Sequence, residues 1–506
     1  MPTERDSFIV FIVVAATDPE VRMADHSPLR VAVIGAGPSG LAAGRELLAQ
    51  GFDRFTIFEK ASAVGGTWHQ HSYPGLTCDV KAAAYTFKDG SNPDWSQIFV
   101  EQPEIETYLQ RSASEFGLEP HLRLETEIVS ARYRADGTWH LECTDGQLHE
   151  FNVVINAMGN QHTPLFPDIP GIDRFEGPSW HSTEWKHDVP LAGKRIALIG
   201  SAAAAVQVVP EIAKLASHLH VFQRTPNWIL PRGNKAYSGL SRALLRIPIL
   251  RKLHRAFHNK IMNLSDGSFR IGHKVQERVE KMGQKHIEEA VPDPVLRELV
   301  TPRSRFGCKR PLLSDDFYPA LQQDNVTLVP AAAQSIERNG VLTADGQTIE
   351  ADVIIYCTGY KVMDFERIEV IGSDGESLGK RMEEAPEAFV GTAVPGFPNY
   401  FFALGPNALI TSTSFFDAAE INLRLIVRLL KEKQAAGARA IDVKPASHRR
   451  YNEWVVEARN SYSWGVEPCN SYYRTPTGHT PFLFPGNFET FIQQRDETGL
   501  HDFNTV

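Results

Sequence analysis

Disulfide frameworks, zinc knuckles and membrane spans all need features that this 506-residue chain has in short supply. It carries five cysteines, Cys78, Cys143, Cys308, Cys357 and Cys469. Their number is odd and no two form a C-x-x-C pair. Neither a disulfide framework nor a bound metal is expected, and a reducing compartment, the cytoplasm, is the expected location. A basic excess is missing as well: 52 Lys and Arg stand against 61 Asp and Glu, a formal charge of −9. That argues against a nucleic-acid partner. The longest apolar run, Phe8–Ala16, has nine residues, whereas a spanning helix needs about 20. Glu4, Arg5 and Asp6 before it have the wrong charge balance for a secretory signal, and no integral membrane association is expected. Residues 1–28 read as a disordered N-terminal tail. Residues 1–22 also read as an upstream start not used in the cell, because Met23 opens MADHSPLR and leads straight into a strong strand. There is no H-E-x-x-H and no G-x-S-x-G, and the 18 histidines are scattered without metal-ligand spacing.

What is present is the composition of an ordinary globular protein, 42% hydrophobic and 22% charged, long enough for two to four domains. Leu29–Ile34 reads as a buried parallel strand. It runs into Gly35-Ala36-Gly37-Pro38-Ser39-Gly40, a G-x-G-x-x-G, and then a helical stretch, Leu41–Gln50. Those glycines provide a tight turn, close approach to a pyrophosphate and close helix–strand packing, and the helix N-terminus offers unpaired N–H groups to the phosphates. Glu59, closing the next strand Phe55–Phe58, suits a ribose hydroxyl pair. A second unit follows. Arg195–Ile199 is again strand-like, Gly200–Ala205 forms G-x-A-x-x-A, and a helix runs through Lys214. Ala202 puts a methyl where the second glycine would admit a pyrophosphate. Arg224, ending the strand Leu219–Phe222, replaces the ribose-binding acid and favours a 2′-phosphate, hence NADP over NAD. Two cradles imply one dinucleotide that stays and one that exchanges, the pattern of a flavin reduced by a nicotinamide. Disulfide reductases share two cradles but need paired redox cysteines after the first, and Cys78 stands alone.

Two further segments carry a family resemblance. Gly65–Asp79 (GGTWHQHSYPGLTCD) and Phe175–Lys186 (FEGPSWHSTEWK) resemble the two fingerprints of flavin-dependent Baeyer–Villiger monooxygenases within the class B flavoprotein (flavin-containing) monooxygenases. The first matches in full. The second matches through Trp185, where N-oxidising relatives usually have Tyr or Phe, and departs at Lys186, where the family has Pro or Asp. Gln223–Trp228, Phe306–Pro311 and Val353–Tyr360 extend the likeness, with Cys357 for an alanine and Met158, in Ala157–Gly159, for a threonine.

The resemblance implies an α/β fold with two Rossmann-like dinucleotide-binding domains, the FAD domain discontinuous and the NADP domain carrying a helical insertion. The expected boundaries are 29–165 and 345–506 for FAD, the latter including a C-terminal pocket segment, and 166–344 for NADP, with the insertion at about 236–300. The implied activity is NADPH-consuming insertion of one oxygen atom of O2 next to a ketone carbonyl, giving an ester or lactone through a C4a-peroxyflavin. Two alternatives stand beside it: oxygenation of N or S by the same flavin species, and a flavin- or nucleotide-binding protein whose oxygenase activity has decayed. Arg310 is the implied catalytic cation and Asp79 its holder. The expected FAD contacts are Gly35, Gly37, Ser39, Gly40, Glu59, Lys60, Gly66, Thr67, Trp68, Asp79, Tyr85 and Asn407. Those for NADP are Gly200, Ser201, Ala205, Gln207, Arg224, Thr225, Lys309 and Arg310. His181 and Trp185, four apart, are expected on one helical face at an interdomain hinge. Trp464–Phe484 is expected to complete the pocket wall. Ser241–Lys260 is basic and amphipathic; a membrane-surface helix is one reading, and an ordinary insertion with its basic face solvated is the preferred one.

Overall fold

The computed structural model describes residues 29–506 apart from 467, 470 and 476. The expected tail at 1–28 lies outside the described residues.

Two parallel sheets organise the chain. In the first, Tyr400–Phe402, Val153–Asn156, Val31–Ile34, Phe55–Phe58 and Leu122–Arg123 lie side by side in that order, every pair parallel. Val31–Ile34 is buried along its whole length, as an all-parallel strand must be when both sheet faces are covered. Helices Pro38–Ala49 and Phe415–Ala435 pack together on one face. A four-stranded sheet packs on the other, with Ile128–Tyr133, Trp139–Cys143 and Leu148–Phe151 antiparallel and Glu369–Ile371 parallel at its edge. Trp139 anchors that contact, fully buried, with its indole donating to the Pro398 carbonyl at 2.8 Å.

The second sheet repeats the plan. Val326–Val329, His218–Phe222, Arg195–Ile199, Val353–Tyr356 and Ser179–His181 run in that order, again all parallel. Helix Ala203–Ala213 covers one face. The antiparallel strands Ala333–Glu337, Gly340–Thr343 and Thr348–Glu350 pack on the other.

The expected boundary at 344/345 needs correction. Val353–Tyr356 is a central strand of the second sheet, between Arg195–Ile199 and Ser179–His181. The polar turn at 344–347 resembles a linker in sequence but joins two antiparallel strands. The chain crosses between the domains later, and the two crossings run side by side. Leu165 N–H donates to the Gly359 carbonyl and Lys361 N–H to the Thr163 carbonyl, each at 3.0 Å.

The helical insertion comprises Gly239–Leu245, Pro248–Leu264, Lys274–Ala290 and Pro294–Val300. Pro248 opens its helix at the first turn, where no intrahelical N–H bond is lost. The expectation that this helix turns its basic face to solvent needs correction in part: Lys252 and Lys260 are exposed, but Arg251 and Arg255 are half-buried. Arg251, His254, Arg255, His258 and Asn259 face inward and the leucines, isoleucines and Phe257 face outward.

Candidate active site

The first cradle is built so closely that side chains are excluded from it. Gly35 has φ +102°, and a Cβ there would sit 2.8 Å from the Ala157 carbonyl oxygen; one on Gly40 would sit 1.9 Å from the Gly35 oxygen. Gly66 of the first fingerprint, at φ +56°, lies on Gly37, and its Cβ would meet the Gly37 Cα at 2.9 Å. Gly37 caps helix Pro38–Ala49 without any side-chain hydrogen bond, so the first-turn N–H groups remain available. The buried Ser39 hydroxyl has no protein partner and lines a crevice with Ala157, Met158, Gly159 and Asn160. An unpaired polar atom at a helix N-terminus behind a cradle with no room for a methyl fits a bound diphosphate. Glu59 is held at its strand end by accepting the Ala36 and Ala61 N–H groups at 2.8 and 2.9 Å, while Lys60 beside it is exposed.

The fingerprint continues as a short helix from Thr67, whose Trp68 indole donates to the Tyr85 hydroxyl at 3.0 Å. Tyr85 packs edge-on against Phe416 at 4.8 Å. Asn407 is buried at φ +54°, and its amide donates to the Thr480 and Leu483 carbonyls. The side chain expected to touch the cofactor thus ties two C-terminal segments together.

In the second cradle Gly200 has φ +117°, and a Cβ would fall 2.3 Å from the Cys357 carbonyl oxygen. Ala202 has φ −95°, which any residue adopts, and it is exposed. Ser201 and Ala205 are buried, Ala205 with no exposure at all. Gln207 spans the two domains: its carbonyl oxygen accepts from the Tyr73 hydroxyl at 3.1 Å, and its NH2 donates to the Thr77 carbonyl at 2.8 Å. Its side chain is committed to that strut. At the strand end, Lys309 donates to the Thr225 hydroxyl at 2.5 Å. Burial and the adjacent Arg224 pull the Lys309 pKa down. Among the described residues no carboxylate pairs with Arg224 or Lys309, so a doubly charged phosphate would meet two uncompensated cations.

Arg310 and Asp79 form an ion pair between the domains. The Asp79 carboxylate, with smaller contributions from Tyr472 and Tyr473, holds the guanidinium above its already high pKa against the opposing effect of burial. It is therefore a permanent cation. Side-chain exposures of 36% and 27% leave one edge of the pair open to the space between the domains. Tyr472 and Tyr473 had no assigned role beyond the aromatic stretch that contains them. Their rings lie 4.4 Å apart, with Tyr473 stacked on Phe482. The Tyr472 hydroxyl reaches the guanidinium.

The expected absence of disulfides is also corrected. Cys308, two residues before Arg310, is bonded to Cys469 of the aromatic wall, with Cα atoms 5.5 Å apart. The partners are 161 positions apart in sequence, so spacing alone carried no sign of them. Cys78, Cys143 and Cys357 are buried and free. Alkylation of the unfolded, unreduced protein should therefore label three cysteines and, after reduction, five. Five labels without reduction would disprove the bond.

His181 and Trp185 do not share a helix face. His181 ends an edge strand, Ser182–Glu184 is a single 3-10 turn, and Trp185 is extended. Trp185 packs against Trp180 at 5.7 Å, and Lys186 sits 5.9 Å from the Trp180 ring. His181 meets Tyr360 edge-on at 6.1 Å, and Tyr360 stacks on His71 at 5.6 Å. These three rings, from the second fingerprint, the returning strand and the first fingerprint, join the domains at the crossing. His71 and Tyr360 lie inside the first fingerprint and the returning strand, 289 positions apart, and nothing in their spacing marks them as partners.

Burial lowers the pKa of both His71 and His181 to about 4, with the neighbouring His181 adding to the effect on His71. Their stability contribution is fully present above the unfolded value of 6.5. It declines as the pH falls through 6.5 toward 4, by about 3 kcal/mol for each ring kept neutral. Urea unfolding should therefore show stability falling over this window, with a shallower fall in His71→Gln.

A family model, flavin-binding monooxygenase-like, matches residues 28–371. A Baeyer–Villiger monooxygenase of Streptomyces coelicolor is 37% identical over 485 residues, covering 95% of this chain and 93% of that protein. One from Pseudomonas aeruginosa is 36% identical over 493 residues, covering 96% and 93%. Among solved structures, OTEMO in complex with FAD and NADP superimposes with a TM-score of 0.86 at 25% identity, covering 94% of this chain and 99% of that one. Closed cyclohexanone monooxygenase gives 0.84 at 26%, with the same coverage. With both cradles intact and an arginine–aspartate pair between them, the chain belongs to the flavin-binding monooxygenase family, in its Baeyer–Villiger branch, and is an NADPH-dependent flavin monooxygenase.

Proposed function

We propose that the enzyme inserts one atom of O2 beside a ketone carbonyl, with Arg310 as the catalytic cation. FAD, once reduced by NADPH, supplies the activated oxygen. The chain's own residues supply the rest. Gly35, Gly37, Ser39, Gly40 and Glu59 hold the resident dinucleotide, and Gly200, Arg224, Thr225 and Lys309 hold the exchanging one. Arg310 neutralises negative charge as it develops on the reacting oxygens, and Asp79 fixes the orientation of its planar fork. Tyr473 and Phe482 belong to a buried aromatic cluster that limits water beside that charge.

The observation that carries this reading is the Arg310–Asp79 pair, which joins the fingerprint of one domain to the other domain and keeps an open edge. A decayed enzyme is the weaker reading, because Ala202 has an unstrained backbone and the Arg224–Lys309 cation pair is intact. The test mixes FAD-loaded protein anaerobically with NADPH or NADH, then admits oxygen with a panel of ketones and sulfides. Bleaching of the flavin by NADPH in preference to NADH, followed by ester or lactone formation, is expected. Sulfoxide formation without ester would favour the heteroatom alternative, and no bleaching by either nucleotide would revive the decayed one.

A further inference from the structure

Nine of the eighteen large hydrophobic residues exposed among the described residues lie within Leu240–Leu264, on the first two helices of the insertion and the turn between them. On helix Pro248–Leu264, Ile249, Leu253, Phe257, Ile261 and Leu264 follow one another at helical spacing, forming a continuous stripe. A helix serving only the core would turn this stripe inward. Here the polar face is the one that docks. Arg255 pairs with buried Asp417 at 2.6 Å, Asn259 donates to the same carboxylate, and Arg251 bonds Ser91. An open groove of about 970 Å³, lined in part by Asp89, Arg255, Asn259, Lys260 and Asp266, runs along the flank of the helix. The docking contacts thus hold the apolar stripe outward.

Charge selects the partner. Residues 239–264 contain six Arg and Lys and no Asp or Glu, in a chain of net charge −9. A second copy docked face to face would oppose two such clusters, which mutual repulsion disfavours. An anionic bilayer instead accepts both features, the stripe among its acyl chains and the cations on its headgroups. No described helix is long and apolar enough to cross a membrane. We propose that helices Gly239–Leu245 and Pro248–Leu264 form a membrane-surface docking site for anionic phospholipid, with exposed Arg242, Lys252 and Lys260 flanking the stripe.

The test is co-sedimentation of the FAD-loaded full chain with vesicles of mixed phosphatidylglycerol and phosphatidylcholine, or of phosphatidylcholine alone. Binding is expected to the anionic vesicles and to weaken with added salt. The variant Leu253→Ser/Phe257→Ser/Ile261→Ser should lose affinity about tenfold or more. At about fivefold for each cation, Arg242→Gln/Lys252→Gln/Lys260→Gln should lose about a hundredfold. Both should keep the wild-type rate of flavin reduction by NADPH, which also reports that they fold. Retained binding when the chain starts at Met23 would support the site. Its loss would assign the binding to the first 22 residues and overturn the proposal. Absence of binding to anionic vesicles, or equal binding by the variants, would overturn it too. So would a wild-type dimer in sedimentation velocity that the serine variant abolishes while vesicles bind neither.

Discussion

Arg310→Ala should lower ester formation by about 10²- to 10³-fold, the usual cost of removing one preorganised group that stabilises transition-state charge. Flavin bleaching by NADPH should stay measurable, because the first cradle and the Arg224–Lys309 end of the second are untouched. NADPH would then be consumed with hydrogen peroxide released in place of ester. Two physical effects add. The guanidinium disappears from beside the developing negative charge, and Asp79 is left as an unpaired carboxylate in its place. Arg310→Lys keeps the charge but replaces the planar fork that Asp79 holds with a flexible ammonium. It should recover part of the rate, more than alanine and less than arginine. The measurement is product formation against NADPH oxidation in a single assay. Ester formation by the alanine variant at the wild-type rate would remove Arg310 from the chemistry.

Arg224→Ala should raise KM for NADPH about 10- to 100-fold and leave KM for NADH nearly unchanged, since one charge-assisted contact to a phosphate contributes on that scale. Lys309 stands beside it, bonded to Thr225, and its pKa is lowered by burial and by Arg224. Removing Arg224 therefore lets the Lys309 pKa rise back toward its usual value. The remaining cation is still charged at neutral pH, so some preference for NADPH should survive the single change. Replacing both cations should bring the two nucleotides to comparable KM values. An equal rise in KM for NADPH and NADH would instead mean that Arg224 supports the fold and does not recognise the 2′-phosphate.

Legibility followed the range of the physical constraint. The tight turn, helix start and strand end around Gly35, Gly37, Gly40 and Glu59 could be read directly because they lie within a few residues of one another. The strand that precedes Arg224 was legible for the same reason. The hinge pair His181 and Trp185 was misplaced because four-residue spacing presumes a helix. Pairing with Ile354–Tyr356, far away in sequence, pulled Ser179–His181 into a sheet edge instead. Gln207 and Asn407 lie in the right motifs, yet their amides are spent on Thr77, Tyr73, Thr480 and Leu483, partners that only chain packing brings near.

By itself, then, the sequence determined the two cradles and the strand ends that follow them, since each is written in a short segment with one workable backbone path. Only the tertiary structure decided that Cys308 bonds Cys469, that Val353–Tyr356 belongs to the second sheet, and that helix Pro248–Leu264 shows its apolar side to the outside. Those outcomes depend on which distant surface each segment meets. Spacing along a chain specifies the faces of a helix or strand, but not the neighbour that each face will find.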